Sequence, residues 1–87
     1  MPYATITVQP NGAETLRLTG AFESVETKEG WRVEMRAEAS LLDVTPEQVV
    51  SEAADLAVGD THYSGQVAEY NPADGRIIVE GRGPAPA

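Results

Sequence analysis

The chain has 87 residues, no cysteine, and fourteen acidic against six basic side chains, a net charge of −8. That length makes one domain with a modest core. The composition excludes disulfides, thiolate catalysis and cysteine-based zinc sites. It also disfavours binding to nucleic-acid backbone or to an anionic membrane surface, because few bases are present to neutralise phosphate.

From Tyr3 to Val8 the sequence alternates, with Ala4, Ile6 and Val8 on one face and Tyr3, Thr5 and Thr7 on the other. This is the pattern of a half-buried strand. Gln9-Pro10-Asn11-Gly12 follows as a turn, with proline presetting φ and Asn-Gly tolerating positive φ. A second strand begins near Glu14, puts Leu16, Leu18, Gly20 and Phe22 on one face, and runs towards Thr27. Lys28-Glu29-Gly30 closes a second hairpin.

The third strand has near-strict period two from Trp31 to Leu41. Trp31, Val33, Met35, Ala37, Ala39 and Leu41 face the core; Arg32, Glu34, Arg36, Glu38 and Ser40 face solvent. Several signals then predict a helix. Thr45 stands as N-cap, Pro46 at the first helical position, Gln48 as the far half of a capping box, and Val44 with Val49 as a hydrophobic staple. The helix is expected from Pro46 to about Ala57, burying Val49, Val50, Ala53, Leu56 and Ala57 and stopping at Gly59. A fourth strand follows over Thr61 to Tyr70, with Tyr63 and Val67 on one side and His62, Ser64, Gln66, Ala68 and Tyr70 on the other. After the turn Asn71-Pro72-Ala73-Asp74-Gly75 comes a last strand, Arg76 to Arg82, with Ile77 and Val79 inward.

The order β-β-β-α-β-β predicts an α+β fold: a largely antiparallel, curved five-stranded sheet with one helix packed on it, open rather than closed into a barrel. Residues 1–82 form the single globular domain, and 83–87 a disordered Pro/Gly/Ala tail.

The chemistry-bearing residue types gather in Asp60-Thr61-His62-Tyr63-Ser64, which contains the sole histidine. A general-base role for His62 would need Asp60 or a distant carboxylate to orient it. His62 and Ser64, two apart on a strand, lie roughly 7 Å from each other, too far for a direct hydrogen bond. No catalytic residue, metal ligand set or cofactor site is expected. Gly81-Arg82-Gly83 has no following helix to receive a phosphate.

The charge distribution is more informative. From Ala37 to Gly75 there are eight acids, Glu38, Asp43, Glu47, Glu52, Asp55, Asp60, Glu69 and Asp74, and no Lys or Arg. Glu47, Glu52 and Asp55 are expected together on the wet face of the helix, flanked by Asp43 and Asp60, with Tyr3 and Tyr70 on outer strand faces. The expected function is a non-enzymatic acidic protein-binding module. It would dock on a basic, nucleic-acid-binding surface of a larger protein and so inhibit it. The alternative is a self-assembling subunit of a viral particle or other homo-oligomer that pairs through open sheet edges. A small enzyme or ligand-binding domain built on the His62 loop ranks third. Size and charge resemble those of accessory proteins of phages, mobile elements or defence systems. No basic-then-apolar leader and no bilayer-length apolar run occur, which makes the cytoplasm or a host cell interior the expected location.

Overall fold

The computed structural model describes residues 3–12, 14–37 and 45–85. Six strands and one helical turn follow one another among them: β1 (Tyr3–Val8), β2 (Leu16–Glu26), β3 (Gly30–Ala37), α1 (Pro46–Val49), β4 (Ala53–Val58), β5 (Thr61–Asn71) and β6 (Arg76–Arg82). All neighbouring strands pair antiparallel in the order β1-β2-β3-β6-β5-β4, and β1 pairs with β4 to close a barrel. The expected open α+β sheet is therefore corrected to a closed, almost entirely β architecture.

The difference arises at residues 50–58. The helix starts where expected. Thr45 and Gln48 form the capping box, and the Thr45 N–H donates to Gln48 Oε1 at 2.9 Å. It lasts one turn. Val50 is already extended at φ −62°, ψ 133°, and Ser51 has φ +73°, which turns the backbone away from the helix axis. The Ser51 N–H then donates to the Val67 carbonyl at 2.8 Å, and the Val67 N–H to the Glu52 carbonyl at 3.0 Å.

Ala53-Ala54-Asp55-Leu56-Ala57-Val58 satisfies both periods on paper: Ala53, Leu56 and Ala57 at helical spacing, Ala54 and Leu56 at strand spacing. Alanine has the highest helix propensity, which favours the first reading locally. The outcome is set by β1 and β5, whose outer backbone groups would otherwise go unpaired. β4 lies between them, with Thr5 to Val8 opposite Ala57 to Ala54 and Thr61 to Gln66 opposite Val58 to Ala53. Ala54 and Leu56 are buried, while Ala53 and Val50 are exposed.

The barrel is strongly sheared. Starting from Leu16 on β2 and stepping through Val8, Ala54, Gly65, Gly81 and Trp31, the register returns to β2 at Glu26, ten residues further along. Such a stagger demands steeply tilted strands, and with only six of them the interior is narrow enough for side chains to fill. Ile6, Leu18, Phe22, Val33, Met35, Leu56, Ile77 and Val79 are among those that fill it, joined by Val49 from α1. The inward faces expected for β1, for β2 as far as Phe22, for β3 from Trp31 to Met35 and for β6 are the ones observed.

Trp31 occupies the interior over a floor of glycine. A Cβ on Gly81 would run into the Trp31 ring, and one on Gly65 would come within 3.1 Å of it. The indole N–H donates to the Arg82 carbonyl at 3.2 Å, and the ring meets Tyr63 edge to face at 6.1 Å.

A bulge corrects a second expectation. The register of β5 against β6 shifts between Val67 and Glu69, so one extra residue reverses the facing of everything after it. Tyr70, expected on the outer face, is buried in the core. Burial raises its phenol above the ordinary tyrosine value by disfavouring the phenolate. Ala85, in the expected tail, packs half-buried against the core. The third strand's continuation over Glu38, Ala39, Ser40 and Leu41, the Val44 half of the staple, and Asp43 lie outside the described residues.

Candidate interaction surface

Closure sorts the charges in a way the linear sequence shows only in part. All six bases belong to β2 (Arg17), the β2–β3 turn (Lys28), β3 (Arg32, Arg36) and β6 (Arg76, Arg82). Those three strands are consecutive in the barrel. The other three, β5, β4 and β1, are also consecutive and carry no Lys or Arg. The barrel therefore has a mixed-charge wall and an acid-only wall.

On the mixed wall, acids and bases intermingle across the strands. Arg32 faces Glu80, Glu23 faces Glu34, and Arg36 faces Arg76. Arg76 forks onto Glu34, with Nε 3.0 Å from Oε1 and Nη2 donating to Oε2 at 3.4 Å. Both side chains are roughly two-fifths exposed, so this pair contributes at most about 1 kcal/mol.

The acid-only wall receives several of the residues singled out in the sequence, though not as a helix face. Glu52 precedes β4, Asp55 lies in its middle, and Asp60 stands in the turn after it. They string along one strand instead of clustering on one helix. Glu47 remains on the exposed side of α1. In register, Asp55 faces Thr7 on β1 and Ser64 on β5, and the next residue beyond Thr7 is Arg17. Tyr3 stands 55% exposed at the start of β1, a large aromatic open to a partner. Tyr70 is withdrawn from this surface by its burial.

His62 lies on the same wall and pairs with Asp55, not with the neighbouring Asp60: Nδ1 is 3.0 Å from Oδ2. Both groups are well exposed on the convex outside of the barrel. A groove of about 430 Å³ opens elsewhere, bordered by Glu29, Val50, Gln66, Glu80 and Arg82, and two smaller ones of about 270 and 360 Å³ lie around Glu23 and Glu34. His62 lines none of the three. Among the described residues no three His, Asp or Glu residues converge as a metal site requires. No helix among them is long and apolar enough to cross a membrane.

Glu69 also faces outward on β5, opposite Ile78. Sequence reasoning counted its charge but did not assign it to the surface. The grouping of all bases on adjacent strands was missed as well. Its signal would have been the pairing of β3 with β6, a contact between residues far apart in sequence. Compared with protein-family models, with curated proteins and with solved structures, the protein matches none.

Proposed function

We propose that the protein is a non-enzymatic binding module that presents its acid-only wall, β5-β4-β1, to a cationic surface of a larger protein. Where that surface ordinarily holds nucleic acid, the module competes by offering carboxylates in place of phosphates. Glu47, Glu52, Asp55 and Asp60 supply the charge, and Tyr3 supplies an aromatic contact. The reading places the module in the cytoplasm or a host cell interior.

The observation that supports it is the segregation of bases. An excess of acid spread evenly would serve solubility alone. Here β4 and β5, with the turns and the helix beside them, hold Glu47, Glu52, Asp55, Asp60 and Glu69, β1 carries no charged side chain, and His62 is the only cationic side chain among them, an arrangement that concentrates negative potential on one side and steers encounter. Self-assembly through sheet edges draws no support from a barrel in which every strand is paired on both sides.

The test compares two charge reversals of equal size. A partner is captured from native cell extract at low salt, and its association rate is measured with Glu52→Lys/Asp55→Lys and with Glu23→Lys/Glu80→Lys. The first pair is on the acid-only wall, the second on the mixed wall. The β4 double variant should associate about tenfold or more slowly at low salt, with the difference shrinking at ~0.5 M. Equal slowing by both pairs would reduce the effect to bulk charge. No slowing by the β4 pair would move the binding surface elsewhere.

A further inference from the structure

We propose that Asn11 is a site of spontaneous covalent modification, converting to aspartate and isoaspartate in the folded protein and loosening the contact that holds α1 to the barrel. Asn11 and Gly12 are both exposed in the turn that follows β1. Gly12 has φ +80°, and nothing lies within 4 Å of the position its Cβ would take. Glycine at this position puts no side chain of its own beside the nitrogen that must reach the Asn11 amide.

The reaction needs only water. The Gly12 backbone nitrogen, losing its proton, attacks Asn11 Cγ. A new bond forms between that nitrogen and Cγ, the bond from Cγ to Nδ2 breaks, and ammonia leaves. Water then opens the resulting five-membered imide at either carbonyl, giving aspartate or isoaspartate. No oxidant or reductant is involved. The protein holds an internal control in its other asparagine, Asn71. Pro72 follows it, and a proline nitrogen has no proton to lose. Asn71 Oδ1 is also engaged by the Ala73 N–H at 3.0 Å.

The position gives the change a structural consequence. The Asn11 N–H donates to the Gln48 carbonyl at 2.8 Å, and Gln48 Nε2 donates to the Asn11 carbonyl at 3.2 Å. These two bonds tie α1 to the β1–β2 turn. The isoaspartyl product routes the backbone through the former amide arm: one carbon is added between the residue-11 Cα and the Gly12 nitrogen, and the carbonyl that accepts from Gln48 Nε2 becomes a free carboxylate outside the main chain, so the turn that carries both bonds must take a new path. The conversion also adds a negative charge beside α1, which carries Glu47, at the end of the acid-only wall.

The experiment incubates the intact protein at mildly alkaline pH beside a free peptide of the β1–β2 turn sequence. Digestion and mass spectrometry should show the Asn11 fragment gaining the mass of acid for amide and splitting into two isomers, with the Asn71 fragment unchanged. Hydrogen exchange of the residue-11 amide should be several-fold faster in the isoaspartyl fraction than in an Asn11→Asp variant, which carries the charge without the added carbon. An Asn11 that stays intact while the free peptide converts completely would overturn the proposal. Equal exchange in the two forms would overturn its structural half.

Discussion

Trp31 and its glycine floor show how one residue fixes the choice at others. The indole is almost wholly buried and lies against Gly81, so the barrel has no volume for a larger residue there. Gly81→Ala should cost about 1–3 kcal/mol by overpacking, read as a lower midpoint in urea and a changed near-UV signal from the single tryptophan. An unchanged midpoint would mean that the ring moves freely. Tyr70 offers a titration. Its phenol is raised by burial, so the folded state releases the proton later than the unfolded state does. The stability that this contributes is complete below the ordinary tyrosine value and is lost as pH climbs through the raised one. Alkaline difference spectroscopy should show a late-titrating phenol that disappears in Tyr70→Phe. A late component that survives the substitution would assign it to another tyrosine.

At the scale of the element, α1 is a single turn held by its cap and its anchor. Gln48 accepts the Thr45 N–H through Oε1 and donates through Nε2 to the Asn11 carbonyl. This one residue thus closes the helix start and pins it to the β1–β2 turn. Gln48→Ala should cost more than Thr45→Ala, about 1–2 kcal/mol against less than about 1, because two partners are lost instead of part of one cap. Thermal unfolding of the two variants side by side decides it, and equal costs would show that the anchor to Asn11 carries little. β4 supplies a sharper comparison. Ala54 is buried in the barrel and Ala53 is exposed, whereas a helix through this segment would bury Ala53. Ala54→Glu should cost about 3 kcal/mol or more, while Ala53→Glu should stay within roughly 0.5–1 kcal/mol. The reverse order would restore the helix.

For the whole molecule, closure is the decisive event. It pairs β1 with β4, removes the sheet edges, and gathers the bases on three neighbouring strands. The acid-only wall is a product of that wrapping. Asp55 and Glu52 have no Lys or Arg on either flanking strand because β1 and β5 lack them, and Arg17 on β2 and the two arginines of β6 are each a further strand away. The partner's approach in the proposed function therefore depends on a topology dominated by long-range pairings.

Period-two alternation over Tyr3–Val8, Leu16–Phe22 and Trp31–Met35 was enough to determine those strands and their inward faces, because half-buried strands must alternate whatever surrounds them. The Thr45-Pro46-x-Gln48 signature likewise determined where a helix starts, since capping is a local matter. It could not determine where the helix stops. Ala53 to Val58 is small and ambiguous, and the unpaired edges of β1 and β5 outweighed alanine's helical preference. The bulge after Val67 has no sequence mark, yet it moved Tyr70 from the surface to the core. The excess of acid was legible in the composition. The confinement of every base to the other wall was decided only when the barrel closed, because neighbours around a barrel are set by pairing and not by distance along the sequence.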